Sequence, residues 1–197
     1  MKSLVLPIIL IALGLILFMS GCNSYNGFVS MEEDVENAWS KVQSEYQRRA
    51  DLIPNLVNTV KGVADFEQST LAEVVSARSR ATSVNIDPSN ITPEQLKSFQ
   101  EAQAGLSQSL GRLLLISENY PQLKANENFK ELQAQLEGTE NRIKVARNRY
   151  NDSVTAYNKK VRYFPGSLFA GMFGFSQKAQ FEAAEGAEDA PNVDFSK

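Results

Sequence analysis

The chain has 197 residues, with 20 basic and 23 acidic side chains, one cysteine and no histidine. The absence of histidine excludes a Ser-His-Asp triad, a Cys-His pair, an HExxH zinc site and the Glu-x-x-His form of a di-iron bundle, and the single Cys22 excludes an intrachain disulfide and a thiolate metal cluster. A net charge of −3 lacks the basic stripe of a nucleic-acid surface.

In chain order, Lys2 precedes an unbroken run of 16 apolar residues, Leu4 to Met19, which Ser20-Gly21-Cys22 closes. Two readings compete. The first, and favoured, reading takes residues 1–22 as a lipoprotein signal: small Ser20 and Gly21 suit a signal peptidase, and cleavage would leave an acylated Cys22. The second takes them as a retained transmembrane helix. Sixteen residues rise only about 24 Å against a hydrocarbon core of about 30 Å, so the span is marginal without Ser20 to Asn23. Both readings put a short membrane anchor at the N-terminus. Lys2 before the run, with Glu32, Glu33, Asp34 and Glu36 after it, favours a translocated, extracytoplasmic body.

From residue 25 the pattern is helical. Phe28, Met31, Val35, Ala38, Val42, Tyr46 and Arg49 recur in steps of three and four, with Trp39 flanking the stripe. Pro54 sets the topology. A break with Asp51 as N-cap equalises the helix lengths, predicting helices over 26–50, 52–82, 93–119 and 126–163. A kink is the alternative, because the apolar phase continues through Ile53, Leu56, Val60, Val63, Leu71, Val74 and Val75. Residues 83–92 are turn formers. Thr92-Pro93-Glu94-Gln95 has the form of a capping box with proline in the first turn, and Asn126 caps the last helix. Short connections between amphipathic helices predict an all-α, antiparallel up-and-down four-helix bundle over residues 25–164, behind the membrane anchor.

Asn37-Ala38-Trp39-Ser40, together with the run from Arg48 through Arg49-Ala50-Asp51-Leu52-Ile53-Pro54-Asn55 to Leu56-Val57, resembles the LemA family. Leu110-Gly111-Arg112-Leu113, Tyr120-Pro121-Gln122-Leu123-Lys124-Ala125-Asn126, Glu137-Gly138-Thr139-Glu140-Asn141-Arg142-Ile143, Tyr150-Asn151-Asp152 and Phe173-Gly174-Phe175 are similar in the same order, so that the likeness covers about residues 25–195. The resemblance implies an antiparallel four-helix bundle on an N-terminal membrane segment, kept in many members as a membrane helix. It implies no enzymatic activity.

Three features outside the main stripes are candidates for function. Glu140 interrupts the apolar stripe of the last helix, so a buried Glu140 needs a cation; Arg112, with Arg49 as the other choice, makes a register-setting polar pair, and a Glu140 that simply faces water is the equal alternative. Residues 165–181 open with an apolar, glycine-rich segment. In an up-and-down bundle this segment returns beside the anchor, making Phe164, Leu168, Phe169, Met172, Phe173 and Phe175 candidates for membrane or partner contact, with a plug on the bundle end as the alternative. Residues 182–197 read as an acidic, solvated tail, whose Val193-Asp194-Phe195 is a candidate recognition element. Gln95, Gln100, Gln103 and Gln108, and Arg142, Arg147 and Arg149, read as solvated faces. The expectation is a membrane-tethered, non-catalytic scaffold of the bacterial envelope, without cofactor, metal or nucleic acid. Its expected partners are the membrane, a protein such as a membrane protease or transporter, and further copies of itself. An envelope-stress or signalling component that senses a ligand is the alternative.

Overall fold

The computed structural model describes residues 2–62 and 66–182. Among these residues every regular element is helical. Helix α1 spans Lys2–Lys61, α2 Gln68–Ser83, α3 Pro93–Ser117, the single-turn α4 Pro121–Lys124, α5 Glu127–Arg162 and α6 Gly166–Phe173.

Local chemistry sets several of these boundaries. The Thr92 hydroxyl accepts from the Gln95 amide at 3.2 Å while the Gln95 side chain accepts from the Thr92 amide at 3.1 Å, which closes the capping box of α3. Asn126 accepts from the Phe129 amide at 3.1 Å and starts α5. The basic Lys159, Lys160 and Arg162 occupy the last turn of α5, where the helix dipole favours positive charge.

The expected break at Asp51–Pro54 is absent. Helix α1 continues through Pro54 to Lys61, so the segment expected as one helix over 52–82 is divided between α1 and α2. A proline in a helix interior leaves the carbonyl four residues earlier without its donor. Here that carbonyl belongs to the buried Ala50, and the Arg78 side chain of α2 donates to it from Nε at 2.7 Å. Pro54 itself is exposed. The proline therefore does not end α1; it opens an acceptor by which α2 is tied to it.

Helices α1 and α5 form an antiparallel pair: Gly27 lies beside Lys160, Trp39 against Tyr150, and Glu45 pairs with Arg142 at 3.1 Å. Helices α2 and α3 form a second such pair, with Gln103 donating to the Ala81 carbonyl at 3.1 Å and Arg112 to Glu73 at 3.2 Å. Two apolar cores result. One joins Phe28, Val35, Trp39 and Val42 of α1 to Phe99, Tyr150, Val154 and Tyr157. The other joins Ile53, Leu56 and Val60 to Leu71, Val74, Leu106, Leu113, Phe129 and Leu136. Each fully buried side chain of this size contributes about 1.5–3 kcal/mol. Val75, expected on the buried stripe, is exposed. Gln103, expected on a solvated face, is buried. The acidic tail beyond residue 182, including Val193-Asp194-Phe195, and Val63 of the apolar stripe lie outside the described residues.

Arg78→Met should cost about 1–3 kcal/mol in urea unfolding, because it leaves a buried carbonyl unpaired. In a Pro54→Ala background the restored residue-54 amide should take over the Ala50 carbonyl, so the same substitution should cost much less. Additive effects of the two substitutions would refute this coupling.

Candidate functional site

Midway along the chain's long helices sits one buried charge. Arg49 is 1 % exposed, and its guanidinium is shared among three helices. Nη1 pairs with the Glu140 carboxylate of α5 and donates to the Ser107 hydroxyl of α3 at 2.8 Å; Nη2 donates to the Gln103 side-chain oxygen at 2.7 Å. Gln103 passes the network on to the Ala81 carbonyl of α2. The Tyr46 ring lies 5.1 Å from the guanidinium carbon, and burial pushes the Tyr46 phenol up, partly offset by Arg147 and Arg49. Glu140 itself is 52 % exposed rather than buried, and of the two cations expected for it, Arg112 and Arg49, it pairs with Arg49. Arg112 lies on the exposed side of α3 and pairs with Glu73 instead, since its position faces α2 rather than α5.

The anchor end is built on small residues. The first part of α1 is long and apolar enough to cross a membrane, with mean hydropathy 1.5. Its Ile9, Leu10, Ile11, Leu15, Ile16, Phe18 and Met19 are all exposed. Ser20, Gly21 and Cys22 continue the helix, and Cys22 is exposed. Gly21 is buried: a Cβ there would stand 3.4 Å from the Phe169 ring of α6. At Gly166 a Cβ would come within 2.3 Å of the Lys160 carbonyl, so only glycine lets α6 fold back this closely on α5. The six candidate residues of this segment divide. Phe169 and Phe175 pack inward, with the Phe175 ring 4.9 Å from Phe28 and 5.7 Å from Tyr25. Phe173 is 40 % exposed and meets Tyr25 edge-on at 5.3 Å. Phe164, Leu168 and Met172 face outward, 80 %, 61 % and 72 % exposed. Helix α6 is thus itself amphipathic, lying along α1 at the end of the apolar run.

Beyond Gly174 (φ 81°) the chain does not leave the surface. Residues 175–182 run extended along α5, antiparallel to it, as a strap. Two asparagines hold its backbone. The Asn158 side chain accepts from the Lys178 amide and donates to the Lys178 carbonyl, both at 2.9 Å; Asn151 does the same for Phe181, both at 2.9 Å. Tyr150 donates its hydroxyl to the Ala179 carbonyl at 2.9 Å. Lys178, nearly buried, pairs with Glu32 at 2.8 Å, donates to the Ser89 carbonyl at 3.1 Å and lies over the Tyr157 ring. The Phe181 ring stacks on Trp39 at 5.9 Å beneath the Arg147 guanidinium, 4.5 Å away. Arg147 is therefore not a plain solvated residue. The strap was not anticipated from sequence. Its signal is the heptad-spaced repeat Tyr150-Asn151 and Tyr157-Asn158, which puts two aromatic–amide pairs on one face of α5.

An open groove of about 850 Å³ lies beside the strap, where Arg49, Lys97 and Arg147 are interspersed with Glu94, Glu101, Glu140 and Glu182. The two signs are mixed rather than convergent. Among the described residues no group of three or more acidic or cysteine side chains is placed to hold a metal ion.

These features describe an all-helical protein with one apolar helix able to cross a membrane and a helical body built on it. Residues 38–195 match the model of the LemA family, and the chain belongs to that family. Two magnetosome proteins are similar to it: MamQ 2 of Paramagnetospirillum magneticum, 27 % identical, and MamQ of Magnetospirillum gryphiswaldense, 28 % identical, each alignment covering 86 % of this chain and 68 % of the relative. Protein LemA of Metamycoplasma hominis is 25 % identical over 81 % of this chain and 69 % of its own.

Glu140→Leu should destabilise the fold by about 3 kcal/mol, because the Arg49 charge stays buried without its counter-ion. Adding Arg49→Met should recover most of that loss, whereas Arg112→Met should cost under about 1 kcal/mol. Chemical denaturation of the three variants against the unsubstituted protein checks the ordering. Tyrosines supply a pH signature. Burial, reinforced by Glu32, pushes the Tyr157 phenol up from 10.0 to about 12, and burial raises Tyr150 further. The folded state keeps these protons after the unfolded chain has lost them. Stability should hold below about pH 10 and fall as pH rises towards 12, with a shallower fall in Tyr157→Phe, read as melting temperature against pH.

Proposed function

We propose that this chain is a membrane-tethered, non-catalytic interaction module of the bacterial cell envelope. Its four long helices are read as one antiparallel up-and-down bundle, held outside the cytoplasm. The observation that carries this reading is the continuity of α1, whose exposed apolar residues and buried core residues lie on one unbroken helix. The anchor is therefore coupled rigidly to the body. Lys2 before the apolar run and the acidic residues after it support the extracytoplasmic placement. The relatives named for the magnetosome carry the name of a structure, not of a reaction, which supports a scaffolding role. A protein partner such as a membrane protease or transporter, and further copies of the chain, are the partners this reading expects.

Helix α6 supplies a second membrane contact. Phe164, Leu168 and Met172 form an outward ridge beside the anchor, while Tyr25, Tyr163, Lys159 and Arg162 lie at the same end. Aromatic rings and basic side chains suit the headgroup level of a bilayer. Two anchoring chemistries follow from the anchor itself. Retention of the helix is supported by the Gly21–Phe169 contact, which cleavage before Cys22 would delete. Acylation is supported by Ser20-Gly21 and the exposed Cys22. A ligand-sensing role is the second functional reading, favoured by the groove that the buried Arg49 lines; a saturable rise in melting temperature with a small molecule would distinguish it.

Met172→Trp in vesicles should be quenched by brominated lipid while the buried Trp39 is not. An unquenched Trp at 172 would remove the second contact. Mass analysis of the membrane-bound protein should show Met1 retained if α1 is a transmembrane helix. Labelled palmitate that is lost in Cys22→Ser would establish the acylated form.

A further inference from the structure

The strap is held like a bound peptide. Asn151 and Asn158 lie seven residues apart on α5, about two turns or 10.5 Å along the helix. Three residues of extended chain, from Lys178 to Phe181, cover about 10 Å. The two amides therefore meet the backbone of the strap at matching intervals, each reading one residue's N–H and C=O together. Side-chain recognition is added at the same two positions, with Lys178 on Glu32 and Tyr157, and Phe181 on Trp39. Backbone pairing at fixed spacing plus one cationic and one aromatic anchor describes a site for an extended Lys-x-x-Phe segment.

We propose that this groove is a peptide-binding site that takes residues 178–181 of a second copy of the chain, so that neighbouring copies in one membrane are joined by exchange of straps. The occupant is defined by what the groove already holds, since every copy carries the same segment. Exchange forms the same contacts as the closed chain, so its balance is set by local concentration, not by new bonding. The joint is suited to redirection: Gly174 has φ 81°, and Ser176 and Gln177 are exposed. The proposal rests on the membrane anchoring read above. With all copies held by α1 in one bilayer, each strap and each groove stand at the same height and in the same orientation. Reciprocal exchange closes a dimer; donation from each copy to the next builds a ring or a row.

The test uses full-length protein in vesicles of phosphatidylethanolamine and phosphatidylglycerol. One population carries a benzophenone amino acid at Phe181, and the other is unmodified, isotope-labelled and tagged. Flotation with the vesicles reads the anchoring separately. The expected result on illumination is crosslinked dimers whose junction maps to Trp39 or Tyr150 of the labelled copy. Their yield should rise with protein-to-lipid ratio. Asn151→Ala/Asn158→Ala removes the same four hydrogen bonds from the closed and the exchanged strap, so junctions to Trp39 or Tyr150 should fall within and between copies alike. A peptide of residues 175–182 should compete, and one with Lys178 and Phe181 interchanged should not. Crosslinks confined to single chains at every density, or intermolecular junctions mapping away from the groove, overturn the proposal even if the protein floats. If the benzophenone at 181 disturbs folding, the same group at the exposed Gln180, whose amide meets the Asn151 carbonyl and the Thr155 hydroxyl, should give intermolecular junctions at Asn151 or Thr155 of the labelled copy.

Discussion

A single guanidinium, withdrawn almost entirely from water, sets the register of this fold. Arg49 cannot be buried without compensation, because desolvating a charge costs several kcal/mol. Its partners come from α3 and α5, and through Gln103 from α2. The neighbouring residue completes the layer, since Ala50 accepts from Arg78 of α2. Sliding any of these helices by one turn would strand a charge, a carboxamide or a carbonyl. The apolar side chains on either side of this layer divide into one core towards the N-terminal end of α1 and one beyond it.

The same layer explains how a helix of 60 residues survives an internal proline. Isolated, Pro54 would leave Ala50 without a donor and invite a break. The donor arrives from a different helix, 28 residues further on. The proline is thus part of the tertiary design, and its effect is to make α1 and α2 dependent on each other. Beyond the body, the small residues Gly21 and Gly166 let α6 settle against α1 and α5. The apolar segment after α5 is consequently split into an inward face and an outward ridge, so that plug and surface are two sides of one helix.

What the sequence made legible follows from how local the physics is. The capping box at Thr92, the Asn126 cap and most of the periodic stripes depend on neighbours within a few positions and stand where the pattern puts them, with Val75 and Gln103 the exceptions. The Pro54 break did not occur, because Arg78 is distant in sequence and nothing local marks it as the missing donor. The partner of Glu140 shows the same limit: Arg49 sits on the apolar stripe of α1, which says it is buried, but only packing decides that it faces α5 while Arg112 faces Glu73. The strap was invisible for another reason. An extended segment held by side-chain amides has no periodicity of its own; the record of it lies in the Tyr-Asn repeat of the helix that grips it.

The unbroken α1 has a mechanical consequence. From Tyr25 to Lys61 it rises about 54 Å at 1.5 Å per residue. Under the proposed reading in which α1 is kept as a transmembrane helix, a change of about 10° in its tilt, well within the range by which helices adjust to bilayer thickness, would sweep the far end of the body sideways by about 9 Å. With no joint in α1, the orientation of the distal surface would in that reading follow the bilayer, and α6, braced against the lower part of the shaft, is placed to limit that swing.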